Sequence, residues 1–499
     1  MGRRIAFLLA VSALGAVPAM AQHLHDAGSA PPAASKLLTS NYARGLYWLH
    51  NFEYGNAASA FREAQAADPG DVMAYWGEAM TYNHPLWAFQ DPVKARAVLA
   101  KLGPTREARS AKARSPREAA WLDAVETLYG DGDKVERDRR YYQKMMAIFV
   151  SDPSNVDARS FAALATLGLA SEGRDVATYM KAAAMLEEGF ELHPDHPGLL
   201  HYLIHSYDDP IHAPLGLRAA RRYANVAPDA GHAQHMVSHI YLALGNWEAV
   251  ERTNVQAIKV VNAQRAAEKR PPANCGHYNE WLIYALDQQG KDSRANVQVC
   301  RSQALAEVAG GTDKSVLGED RNAFNSWATI AVRTGVDTGH WPDSHAASGV
   351  EAYLLGRFEL NYGALIAARN DAAAAEHALA ELKRDRVTID KAMPVERPDD
   401  HESAAWLDRA VAQGEAVVAL ARGDRERGLA LLSACADAEG KLPPPFGPPV
   451  LAKPSAELLG DELLAMGRKP EAANAYERAL SAAPGRRRSL EGLKEATSS

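Results

Sequence analysis

One spacing limits this chain more than any other feature: 34 residues. Pro194 and Pro228 lie that far apart, and each closes an alanine-rich amphipathic stretch. A unit of this size is two helices and a turn, too small to bury its apolar face alone, so it must stack on copies of itself. The clearest copy spans 454–486 and contains SAELLGDELLAMGRKPEAANAYERALSAAPG. Leu459 and Gly460 fall where its two helices approach closely, and Gly467 falls at the turn. Ala472, Tyr476 and Ala479 form the packing stripe of the second helix, and Pro484 ends it. The same stripe returns in NYARGLYWLHNFEYGNAASAFREAQAADPG, through Gly45, Trp48, Ala57, Phe61, Ala64 and Pro69. Weaker copies end at Pro153, Pro194 and Pro228, and others run through Gly245-Asn246-Trp247 with Ala257, Gly290 with Ala295, 354–383 and 404–436.

These hairpins resemble the tetratricopeptide repeat over most of residues 37–490, closely at the two ends and loosely between them. The resemblance implies an all-α fold, an α-solenoid of about eight to ten hairpins forming a right-handed superhelix. It also implies a concave groove that holds a protein or peptide partner. The segments HPGLLHYLIHSYDDP, GHAQHMVSHIY and GPPVLAKPSAELLGDELL look like those of exported bacterial tetratricopeptide proteins. Abundant alanine with only 7% aromatic residues agrees with closely packed helices rather than a β-sandwich. An elongated array replaces the roughly three ordinary domains that 499 residues would otherwise suggest.

The expected organisation is a signal peptide at 1–21, a flexible leader at 22–36 and a repeat array with a histidine cluster at 37–263. Degenerate helical repeats follow at 264–440, then a Pro-rich strap at 441–453 and a last repeat at 454–499. Residues 85–118 and 308–349 read as insertions, the second holding a long loop. The strap begins KLPPPFGPPVLAK, which cannot continue a helix and serves as a spacer or, alternatively, as a partner-binding run. Arg3 and Arg4, the apolar run from Ile5 to Val17 and the small residues Ala19 and Ala21 are the pattern of an export signal cut after Ala21. Thirteen apolar residues are too few to cross a bilayer of roughly 30 Å. The expected location is therefore periplasmic or secreted, with no stable membrane span once the signal is removed. Export to an oxidising compartment would let one cysteine pair bridge, and Cys275 and Cys300, 25 apart, suit the two ends of a hairpin. Cys435 would then stay free.

Eight of the 17 histidines fall between residues 193 and 239. His201 and His205 are four apart, as are His235 and His239, so each pair lies on one helix face. His201 to His235 and His205 to His239 are both 34 residues, which puts the pairs in one register on successive first helices. Four imidazoles brought together in this way suit zinc, copper or nickel, which accept nitrogen donors. His277, Glu280 and Asp208 are candidates to complete the shell, and His232 to support it. Two other readings stand beside a metal site: a polar, pH-sensitive groove and packing residues copied with the repeat.

Several chemistries are excluded. HYLIH and HMVSH lack the glutamate of HExxH, and no GxSxG, GxxxxGK[ST] or GxGxxG occurs, so there is no nucleotide or flavin signature. A net charge of −7 supplies no basic stripe for nucleic acid. The resulting expectation is an exported solenoid that binds a protein, peptide or small ligand in its groove and holds a histidine-ligated transition metal, zinc or copper. The alternative is a metal-dependent enzyme centred on the same four histidines.

Overall fold

The computed structural model describes residues 35, 38–170, 173–310, 322–341, 353–392 and 398–498. The signal peptide expected at 1–21 and, Ser35 apart, the leader expected at 22–36 lie outside the described residues. Among the described residues, 23 α-helices make up almost all of the regular structure, and ten hairpins account for twenty of them. The first two hairpins are α1 (Asn41–His50) with α2 (Tyr54–Ala67) and α3 (Val72–Met80) with α4 (Pro92–Leu102). After the single turn α5 (Arg106–Ser110) come α6 (Pro116–Leu128) with α7 (Lys134–Ser151) and α8 (Val156–Leu167) with α9 (Val176–Leu192). Next are α10 (Pro197–Ser206) with α11 (Ala213–Val226), α12 (Gly231–Ala243) with α13 (Trp247–Ala267), and α14 (His277–Gln288) with α15 (Arg294–Gly310). The helix α16 (Ala323–Thr338) packs among α14, α15 and α17 (Leu354–Ala367), and α17 pairs with α18 (Ala372–Ala392). The hairpins α19 (Pro398–Ala421) with α20 (Arg425–Glu439) and α21 (Ser455–Ala465) with α22 (Lys469–Ala482) follow, closed by α23 (Arg487–Thr497).

Local chemistry sets these boundaries. Asp71, Ser115, Asp133, Asn155 and Asp175 each accept a backbone N–H of the helix they open. Pro69, Pro153, Pro194, Pro228 and Pro484 each lie two residues beyond a helix end, where a missing N–H costs nothing. Within the hairpins, a Cβ at Gly45 would lie 2.7 Å from the Phe61 ring, and one at Gly460 would lie 2.8 Å from Tyr476. Glycine at these two places is what lets the paired helices meet around an aromatic filler.

The largest apolar cluster runs from Tyr47 to Ala243 and is rich in rings, with Trp76 edge-on to both Trp121 and Phe161. Smaller clusters serve the later hairpins. Two sequence expectations need correction. The stretch 85–118 is not a plain insertion: Asn83–His84 pairs antiparallel with Phe89–Gln90 around a tight turn, and Pro92 then opens the second helix of a hairpin. The stretch 308–349 is not wholly an insertion, because it contains α16 with Phe324 and Trp327 fully buried. The long loop expected there falls on 311–321 and 342–349, outside the described residues. Twelve of the 16 residues of α16 are buried, Ser326, Thr334 and Asp337 among them, so its polar residues do not mark a solvent face by which to recognise it.

The strap at 441–453 carries no helix, and it reaches back to the earlier hairpins. Phe446 stacks on Tyr179, and Gly447 lies against Trp281. Cys275 and Cys300 are joined as a disulfide with their Cα atoms 4.4 Å apart, tying the start of α14 to α15, and Cys435 is free and buried. No helix among the described residues is long and apolar enough to cross a membrane.

Candidate metal centre

The two pairs of histidines occupy matching places in their helices. His201 is the fifth residue of α10 and His235 the fifth of α12, and His205 and His239 follow one turn later. Both pairs are buried, His201 and His235 completely. The expected open groove is therefore not where they lie. Nor do the four meet at a single point. His201 and His205 gather with His232, and His235 and His239 gather with His277, each set with its ligating atoms within 4.8 Å of one another. The helix α12 serves both triads, sending His232 to the first and His235, one turn on, to the second. The triads are neighbours: the His205 and His239 rings are 6.1 Å apart, and those of His232 and His235 are 6.4 Å apart.

The outer nitrogens are fixed by hydrogen bonds. His239 Nδ1 donates to Asp208 Oδ2 at 2.6 Å, and His235 Nδ1 donates to Asn254 Oδ1 at 2.8 Å. Asn254 is itself oriented, because its Nδ2 donates to Val250 O. His201 Nδ1 donates to the backbone carbonyl of His50 at 2.6 Å. These partners accept only, so the Nε2 atoms of the three rings carry lone pairs in the neutral imidazoles. Yet His239 Nε2 faces His235 Nε2 at 3.1 Å, and His201 Nε2 faces His205 Nε2 at 3.1 Å and His232 Nε2 at 3.2 Å. Two imidazole nitrogens bound to one tetrahedral zinc at 2.0–2.1 Å would be about 3.3 Å apart. The spacing fits a shared cation, and the carboxylate behind His239 is the usual second partner of a metal-bound imidazole.

Burial dominates the electrostatics. Desolvation lowers His201 to about 3 and pushes His205, His232 and His235 well below the ordinary imidazole value, with neighbouring imidazoles adding to it. The rings are thus held neutral, the form that binds metal. Aromatic rings pack against the triads. Phe52 lies 4.3 Å from the His201 ring, with its backbone in the left-handed region at φ 56°, and Trp281 lies 4.4 Å from His239. Trp281 is the fifth residue of α14, the place that histidine takes in α10 and α12.

Other groups hold the triads in position. Glu53 Oε1 accepts His232 N–H at 3.0 Å, which supplies α12 with the cap that Ala230 cannot give. His50 Nε2 and His196 Nε2 both donate to Asp157 Oδ1 at 3.0 Å, and His50 Nδ1 accepts from Tyr202. This third cluster is complete in itself and fixes the end of α1, whose carbonyl orients His201. Sequence reasoning gave His232 a supporting place, and it missed Asn254, Phe52 and the His50–Asp157–His196 set. The available signal was the HxxH spacing of His232 and His235. Glu280 is buried beside Arg333, 3.9 Å away, and belongs to neither triad.

Fold and site together define an all-α array of stacked helical hairpins that buries two adjacent imidazole triads. No family model matches the chain, and a search of curated proteins found no match. Solved structures do resemble it. The human IFIT1 dimer with m7Gppp-AAAA is 12% identical over 91% of this chain and 93% of that one, with a TM-score of 0.38. The APC/C hetero-tetramer Cut9–Hcn1 is 11% identical over 92% and 76%, with a TM-score of 0.35. The P58(IPK) TPR domain is 12% identical over 91% and 96%, with a TM-score of 0.20. These likenesses assign neither ligand nor partner to this chain.

Proposed function

We propose that this protein is an exported metalloprotein whose helical array holds two divalent transition-metal ions, zinc or copper, one in each triad. His201, His205 and His232 hold the first ion, and His235, His239 and His277 hold the second. The observation that carries this reading is the pair His235 and His239. Both Nδ1 atoms are committed to acceptors, and both Nε2 lone pairs point at each other across 3.1 Å. Such a pair repels unless a cation sits between the nitrogens. Three protein ligands per ion leave a coordination position open, the arrangement of catalytic rather than purely structural sites. A metal-dependent enzyme is therefore the reading of activity that this centre favours. Its two ions would activate water and polarise a substrate oxygen.

Export is supported by the signal pattern at 1–21 and by the disulfide, which suits an oxidising compartment. A protein or peptide partner keeps a place in the proposal, since stacked hairpins present extended concave faces. The buried imidazoles are not what such a partner would read. Elemental analysis of the chain, purified without chelator or polyhistidine tag and then dialysed against zinc, tests the metal reading. Two equivalents per chain are expected, and a metal-free protein after loading overturns it. N-terminal sequencing of the chain recovered outside the cytoplasm should begin at Gln22, and recovery of the chain only inside the cell with Met1 intact would contradict export.

A further inference from the structure

The charge around the triads points to a third component. Every ligand in both sets is an imidazole, and ligating imidazoles are neutral. Two divalent ions would therefore bring four positive charges into a site whose innermost histidines are fully buried. The carboxylates that touch the triads and the residues around them supply hydrogen bonds rather than ligands. Asp208 accepts from His239 Nδ1, Glu53 caps α12 through the His232 N–H, and Asp157 serves His50 and His196. None of the three joins a triad as a ligand. Arg174 adds another positive group, donating to the carbonyls of His205 and Ser206, although Asp209 pairs with it at 2.7 Å. Buried charge left uncompensated is costly, and it is relieved by a counter-charge placed in contact.

Coordination leads to the same conclusion. A three-nitrogen set leaves a borderline metal ion short of at least one ligand. The triads share α12 and lie side by side, so one small molecule can serve both ions. His232 and His277 are the partly exposed members of their sets, and they mark the edge from which a molecule would enter.

Building on the metal reading above, we propose that the loaded centre binds one small oxyanion, a carboxylate or phosphate group, whose oxygens bridge the two ions and complete their shells. The substrate or resident ligand of this protein would carry such a group.

The test uses the full chain loaded with Cu(II) and titrated separately with inorganic phosphate and acetate, following the ligand-field absorption band. A saturable shift that ends at one anion per two copper ions is expected, and the tighter of the two anions identifies the source. The His235→Ala/His239→Ala protein should take up one copper and bind the anion at least tenfold more weakly. Two bound copper ions with a band that neither anion moves would overturn the bridging ligand while leaving the metal centre standing. Saturation at two anions per chain would overturn it as well. Failure to take up copper would remove the metal centre and this inference together.

Discussion

Two regions of the molecule bury polar side chains at comparable depth and satisfy them in opposite ways. In the later hairpins, Arg486, Glu457, Asp337 and Lys453 are all nearly inaccessible. Each meets a group of opposite sign: Arg486 Nε donates to Glu457 at 2.7 Å, Arg486 Nη2 pairs with Asp337 at 2.6 Å, and Lys453 pairs with Glu457 at 2.9 Å and Asp461 at 2.6 Å. Ser489 and Gln288 supply further hydrogen bonds. Desolvation opposes ionisation there, yet Arg486 and Lys453 hold the Glu457 carboxyl well below its usual range. In the earlier hairpins, by contrast, like groups face like groups. Three imidazole nitrogens meet in each triad with no acid among them. A set of charges that closes on itself holds a fold together, whereas lone pairs turned toward one another make room for a cation.

The largest expected effect falls on the closed set. Arg486→Met leaves Glu457 and Asp337 buried with a cation missing, and should cost about 3–5 kcal/mol in urea unfolding. A cost below about 1 kcal/mol would show that the network is not closed in this way.

Asp287, beside that network, sharpens the contrast through pH. It accepts hydroxyls from Ser293 and Thr334, and burial raises its carboxyl to about 6. An acid whose pKa is raised on folding contributes its stability below the ordinary value near 4, and that contribution is lost as pH rises through about 6. Relative to Asp287→Asn, the wild type should lose about 2–3 kcal/mol between pH 4 and pH 7. Parallel stability profiles for the two proteins would contradict this.

In the histidine region, Asp208→Asn keeps the shape but removes the carboxylate behind His239. Metal affinity of one site should fall about 10–100-fold by competition with a chromophoric chelator, while the other site is unchanged. The smallest effect on stability is expected from His235→Leu in metal-free protein. Removing one of two opposed lone pairs offsets the lost bond to Asn254, so chemical unfolding should shift by no more than about 1 kcal/mol. A loss as large as that of Arg486→Met would make the triad a structural element like the charged set.

Much of the architecture was legible because repeats write their boundaries locally. A proline two residues past each of five helices, and glycine opposite an aromatic in the end hairpins, are readable without any tertiary knowledge. The register of His201 with His235 followed from the same period. Their division into two triads did not. His232 comes from the same turn as His235 but serves the other set, and His277 reaches its set after the long helix α13 has shifted the period. Asn254, Asp157 and the His50 carbonyl arrive from 19 to 151 residues away along the chain, which no spacing rule records. The helix α16 was hidden for a different reason, its burial on nearly every side.

The division into two sites is the central claim, and metal stoichiometry across a short set of variants tests it most directly. Wild-type protein should bind two ions per chain. His201→Ala/His205→Ala and His235→Ala/His239→Ala should bind one each, and the four substitutions combined should bind none. A single ion in the wild type, lost completely in either double variant, would instead place all four histidines around one metal and contradict the two triads.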